Sequence, residues 1–141
     1  MSAIMTPYLS FRDQAADALR FYQGVFGGEL TTTTFGEQGM SPDPAEADKI
    51  MHGRLDSGAG FVLMASDTPA SMGVPSGSAI TLSLSGYDAA VLDGWWEALT
   101  ADGTIVLPLE LAPWGERFGM CTDRYGIDWM GSIAQEPADA A

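Results

Sequence analysis

The feature that most constrains this chain is an internal repeat. The segment "YLSF" at 8–11 is followed by "DQAADALRFYQGVFGG", in which Ala15, Ala18, Leu19, Tyr22, Val25 and Phe26 recur at helical spacing. At 81–84 "TLSL" opens the same plan again, with Val91, Leu92, Trp95, Ala98 and Leu99 forming the second apolar stripe. Asp13 and Asp88 stand where an N-cap would stand, and glycine follows each helix, Gly27 and Gly28 in the first copy and Gly103 in the second. A strand-forming run comes next in each copy, "ELTTTTF" and then "TIVLPLEL". Each copy closes on a hairpin pattern, "IMHGRLDSGAGFVLM" and "RFGMCTDRYGIDWM". Asp56 and Asp123 fall at matching places before the turns, and Met64 and Met130 at matching places after them. The repeat is therefore strand–helix–three strands, written twice.

One such unit offers an apolar helix stripe and one sheet face to cover, and its remaining sheet face is left open. The expected fold is α+β: two tandem βαβββ modules, spanning 4–67 and 79–133, forming a concave mixed sheet within a single domain of 1–141. The stretch 36–49, rich in glycine, proline and acid, reads as a mobile excursion. The run 65–78 joins the halves, and 134–141 reads as a flexible tail.

Composition decides which partner classes fit this plan. Apolar residues make up 46% of the 141 positions and charged residues 18%, the balance of a folded globule. The net charge of −13 repels a phosphate backbone, and the basic residues form no run, so nucleic acid is an unsuitable partner. No apolar segment approaches the roughly 18 residues needed to span a bilayer, and the N-terminus lacks the layout of a signal peptide, so the expected location is cytoplasmic. Cys121 is the single cysteine, which excludes an internal disulfide and suits a small core residue better than a nucleophile. Asp56, Asp67 and Asp123 sit beside turns, where a short carboxylate fixes the backbone.

The stretches "PYLSF", "LRFYQGVFGGEL", "IMHGRL", "FVLMASD" and "WGERFGMCTDRYGIDWM" together resemble the PhnB-like branch of the vicinal oxygen chelate superfamily. That superfamily includes glyoxalase I, bleomycin-resistance proteins and extradiol dioxygenases. The resemblance runs over about residues 4 to 133 and implies the same paired-module fold. It also implies a place to look for metal, because metal-using members carry His or Glu ligands on the first and last strand of each module. Those strands here are 5–11, 61–66, 79–84 and 127–132. One alternation set groups Tyr8 with Leu63, Ala65 and Trp129; the other contains Met64 and Asp128. Of these only Asp128 would ligate a hard cation, whereas a catalytic zinc or iron takes about three protein ligands. With one histidine in the chain, no metal ligand set is assigned and no cofactor is expected, a divalent metal being disfavoured. The branch's historical methyltransferase label also lacks support, since no glycine-rich strand–loop–helix is present to cradle a nucleotide cofactor.

The remaining chemistry-bearing residues are Tyr8, His52, Trp114, Glu116 and Trp129, read together as a small-molecule site in the concave cavity. His52 would carry a proton or orient a ligand, and Glu116 would bind a cationic group or accept a proton. Each has a plainer role available: His52 as a hydrogen-bonded sheet residue, Glu116 as a loop carboxylate paired with Arg117 or Arg124, Tyr8 and Trp129 as core aromatics. The leading function is metal-free binding of a small organic ligand by a homodimer whose open sheet edges invite self-association. The alternatives are a metal-dependent lyase or dioxygenase of the same superfamily, and a metal-free enzyme using His52 or Glu116 for proton transfer.

Overall fold

In the computed structural model, which describes residues 5–39, 44–68 and 80–135, each half of the chain folds on the strand–helix–three-strand plan. The halves form two compact units. The first contains β1 (Tyr8–Phe11), α1 (Ala15–Phe26), β2 (Glu29–Thr34), β3 (Ile50–Asp56) and β4 (Val62–Asp67), with a short 3₁₀ turn at Pro44–Glu46. The second contains β5 (Leu82–Gly86), α2 (Ala89–Thr100), β6 (Thr104–Leu111), β7 (Arg117–Thr122) and β8 (Asp128–Ile133). Each unit has its own four-stranded mixed sheet, ordered β1-β4-β3-β2 and β5-β8-β7-β6. The first strand runs parallel to the last and the other neighbours are antiparallel. The fold class expected from the repeat is thus the fold observed, with one sheet per module. Of the three segments expected to be irregular, 40–43, 69–78 and 136–141 lie outside the described residues.

The first helix starts differently from its sequence pattern. Asp13 is not its cap: it sits at φ 66°, its carboxylate pairs with Lys49, and Gln14 occupies the capping position without a side-chain bond. The buried carboxylate of Asp67 does the work from the far end of β4. Its Oδ1 accepts from the Ala15 amide at 2.9 Å and its Oδ2 from the Ile50 amide at 3.0 Å. One side chain thereby satisfies a helix N-terminus and a strand start 52 and 17 residues away. In the second unit the expected cap holds, Asp88 Oδ1 accepting from the Val91 amide at 3.2 Å.

The matching of the two hairpins shifts by one residue. Asp56 pairs across its turn with Val62, and Thr122 with Asp128, so Thr122 and not Asp123 is the counterpart of Asp56. Asp123 corresponds to Ser57. Both are buried, and each closes its turn by an amide bond to the carbonyl four residues on, Phe61 or Ile127. Backbone pairing sets this equivalence, whereas the sequence showed only two aspartates near two turns. Met64 and Met130 are true counterparts, facing β1 and β5 respectively.

Packing of the helices decides which sheet face is covered. Ala15, Ala18, Leu19 and Tyr22 of α1 are fully buried, and α1 lies over β2, β3 and β4. A Cβ at Gly53 would collide with the Leu19 side chain, so the helix approaches β3 as closely as a glycine allows. Leu92 and Leu99 of α2 are buried over β5, β7 and β8. Burying a leucine in this way stabilises by about 1.5–3 kcal/mol.

Candidate functional site

On β3 the alternation of a strand puts Gly53 and Leu55 beneath α1, and so turns His52 and Arg54 to the opposite, open face. Register carries that face across the sheet. Arg54 lies opposite Met64 on β4, and Met64 lies beside Tyr8 on β1. Tyr8 and His52 are hydrogen-bonded there, hydroxyl to Nδ1 at 3.3 Å, with ring centroids 5.9 Å apart. The hydroxyl donates when Nδ1 is bare and accepts when Nδ1 carries the proton, so the bond engages Nδ1 and not Nε2 in either protonation pattern.

The second sheet has the same two-faced construction. A Cβ at Gly131 would sit 3.4 Å from the Trp96 ring of α2, which places Trp129, Gly131 and Ile133 on the helix side. Trp129 is 2% exposed, and its indole N–H donates to Asp123 Oδ2 at 2.8 Å. The expected place of Trp129 in the ligand site is therefore corrected: it is a core residue locked to the hairpin turn. The counterpart of Tyr8 is Ser83, which pairs with Met130 as Tyr8 pairs with Met64. Alternation defines two sets of residues on each strand but does not say which set a helix will cover: Tyr8 lies on the open side of β1, whereas Trp129 lies on the covered side of β8.

The open face of the second sheet holds Asp128, Met130 and Ser132 of β8 with Phe118, Met120 and Thr122 of β7. Trp114 and Glu116 reach it from the tight turn between β6 and β7. That turn is closed by Gly115 N to Ala112 O at 2.9 Å and Ala112 N to Glu116 O at 2.7 Å, and Gly115 takes the φ of 96° it requires. Glu116 Oε2 accepts from the Ser132 hydroxyl at 2.7 Å, so its partner is neither Arg117 nor Arg124. Arg117 points to the other face and makes two bonds to Asp93 of α2, at 2.9 and 3.1 Å. Those bonds hold the Asp93 carboxyl below its ordinary range. Arg124 donates to the Ala101 carbonyl. Trp114 meets Phe118 edge-on with ring centroids 5.7 Å apart and stays 63% exposed. Cys121 is buried on the helix side, and burial, with the negative charge of Asp123 and Asp128, pushes its thiol up to about 11. It is no nucleophile at neutral pH.

The site residues expected from sequence thus fall into two sets, Tyr8 with His52 in the first unit and Trp114 with Glu116 in the second. Sequence reasoning missed Arg54, Phe118 and Ser132. The signal for Arg54 was present, since it stands two residues from His52 on an alternating strand. The bond from Ser132 to Glu116 joins side chains 16 residues apart and left no local trace.

The donor set does not suit a metal of the kind the fold's first and last strands hold elsewhere. Their open-face residues are Tyr8, Ser10, Val62, Met64, Ser66, Ser83, Ser85, Asp128, Met130 and Ser132. Hydroxyls and thioethers dominate, and the one carboxylate, Asp128, accepts from Thr122 Oγ1 at 2.7 Å. Among the described residues no three His, Cys, Asp or Glu side chains gather where an ion would be held. No helix among the described residues is long and apolar enough to cross a membrane.

Comparison with known proteins agrees with this architecture. The YjdN protein of Escherichia coli is 29% identical over 143 residues, spanning 94% of this chain and 96% of its own. The crystal structure of PA1353 from Pseudomonas aeruginosa superposes with a TM-score of 0.83 at 36% identity, covering 96% of this chain and all of that one. The PhnB protein of Bacillus cereus has the same fold, with a TM-score of 0.74 at 22% identity over 94% of this chain and 100% of its own. Residues 5–130 match the family model described as glyoxalase, bleomycin resistance protein and dioxygenase, and the chain belongs to that superfamily.

Proposed function

We propose that this protein binds a small organic molecule on the sheet faces its helices leave open, and that it does so without a catalytic metal. The observation that carries the reading is the make-up of those faces. Each combines apolar surface with a pre-positioned polar pair: Met64 with Tyr8 and His52 in one unit, Phe118, Met120 and Met130 with Ser132 and Glu116 in the other. Aromatic and thioether groups give contact area, and a few fixed polar groups give orientation. Glu116, already bonded to Ser132, keeps an oxygen for a donor group on the ligand.

A second reading, a metal-free enzyme, draws on the Tyr8–His52 bond, because a phenol on an imidazole nitrogen is a short proton path. The protein is further proposed to act in the cytoplasm as a homodimer. The dimer reading is supported by β6, an edge strand on which Ile105, Val106 and Leu107 are 50%, 63% and 44% exposed. Pro108 and two register shifts interrupt the β6 ladder, so a second copy would meet it mainly through side chains.

The test is a thermal-shift screen of metabolites and drug-like aromatics, with and without divalent metals, on wild type, His52→Ala and Glu116→Gln. A ligand that stabilises wild type, changes Trp114 fluorescence and binds about tenfold more weakly to Glu116→Gln supports the reading. Stabilisation by metal alone, abolished in His52→Ala, would replace it with metal-dependent chemistry. Turnover of a bound ligand that is lost in His52→Ala would favour the enzyme.

A further inference from the structure

We propose that the open face of the first sheet is an oxyanion subsite, in which Arg54, His52 and Tyr8 take a phosphate-type group above Met64. This rests on the small-molecule reading above and adds the charge of the ligand. This acidic chain commits most of its few cations to ion pairs. Arg20 pairs with Asp17, Lys49 with Asp13 and Glu46, Arg117 with Asp93 and Arg124 with Asp102. Arg54 has no such partner among the described residues. Carboxylates are abundant in this chain, and one stands close by. Asp56 is two residues farther on the same face, and its Oδ1 instead accepts from the Gly58 amide at 3.4 Å.

The unpaired guanidinium sits beside the hydrogen-bonded tyrosine–histidine pair. Arg54 and Tyr8 flank Met64 from the two neighbouring strands, about 10 Å apart at the backbone by strand spacing. His52 shares β3 and the open face with Arg54, roughly 7 Å along the strand. The three side chains therefore surround one apolar floor. Arg54 supplies a planar fork for two oxygens. His52 Nε2 and the Tyr8 hydroxyl approach from two other directions, which a three-oxygen tetrahedral group fills and a flat carboxylate does not. The chain's overall negative charge repels anions everywhere else, so an anion binds only where donors converge.

The test is a titration of ¹⁵N-labelled protein with phenyl phosphate, inorganic phosphate, benzoate and phenol, read by amide shifts and calorimetry. The variants are Arg54→Gln, Arg54→Lys and, as a control on the exposed face of α1, Arg20→Gln. Phenyl phosphate is expected to shift amides of β1, β3 and β4 around Met64 and to bind more tightly than benzoate. Arg54→Gln should weaken it about tenfold or more, Arg54→Lys by less, and Arg20→Gln not at all. Arg54 is exposed, and an unchanged melting temperature will show that its variants fold. Equal affinity for wild type and Arg54→Gln, or no saturable shift at millimolar phosphate, overturns the subsite. If phosphates fail while an uncharged aromatic from the screen binds, the subsite falls and the small-molecule reading stands. If nothing binds at all, both fall.

Discussion

The two units have the same plan, yet α1 buries Ala15, Ala18, Leu19, Tyr22 and Phe26, while α2 buries only Leu92 and Leu99. Their edge strands differ in the opposite sense. The strand β2 is "ELTTTT", polar enough to stand in water, whereas β6 is "TIVLPLEL" and exposes Ile105, Val106, Leu107 and Leu111. A helix placed over β2, β3 and β4 closes the first unit to its edge. The second helix rests on β5, β7 and β8, and an apolar edge stays bare. A duplicated fold therefore need not be a duplicated surface: local pattern repeats the elements, and the covering of apolar area is settled separately in each copy.

The two units differ most in the tolerance of the junction from helix to edge strand. A Cβ at Gly28 would fall on the Asp56 carbonyl oxygen, and at Gly103 it would come within 2.6 Å of the Thr122 carbonyl oxygen, its counterpart. Gly28 is also at φ 97°, a region costly for any side chain. We expect Gly28→Ala to cost about 3 kcal/mol or more in chemical denaturation and Gly103→Ala roughly half as much. Equal losses would show that close approach alone, common to both junctions, sets the cost.

The next contrast lies in the two hairpin turns. Asp123 accepts from the Tyr125 and Ile127 amides and from the Trp129 indole, while its counterpart Ser57 makes a bond to the Phe61 carbonyl and accepts from the Ala59 amide. Asp123→Ala strands a buried indole N–H and should cost about 3 kcal/mol, against about 1 kcal/mol for Ser57→Ala. Near-equal losses by urea unfolding would mean that the indole finds another acceptor.

Acid should separate the units slightly. Hydrogen bonds from Arg117 hold Asp93 below its ordinary range, with burial opposing them. A folded-state value lower than the unfolded one gives stability that is present above the unfolded pKa and disappears as pH falls through the folded one. The side chains of Arg117 and Asp93 are 39% and 43% exposed, and solvent screening limits the effect to about 0.5 kcal/mol or less. Asp93→Asn should flatten that part of the stability curve below pH 4, and an unchanged curve would remove the pair from the account.

The smallest expected effect on folding comes from the bare edge. Val106→Lys should change monomer stability by no more than about 0.5 kcal/mol and shift association toward monomer in sedimentation. A dimer untouched by Val106→Lys would take β6 out of the interface.

What the sequence determined by itself was local. The two helices, the strand runs and the hairpins follow from periodicity and turn chemistry carried by neighbouring residues. The "TIVLPLEL" run coincides with β6, and the Asp88 cap holds because an N-cap reaches only to the next turn. Tertiary structure decided everything that depends on which face a helix covers and which distant groups meet. Asp67 replaces Asp13 at the head of α1 across 52 residues. Trp129 moves from the expected site into the core because α2 takes that side of β8, and Tyr8 meets His52 across 44 residues. Alternation along a strand yields two equal sets of side chains, and only the packing of the helix against one of them tells the core from the site.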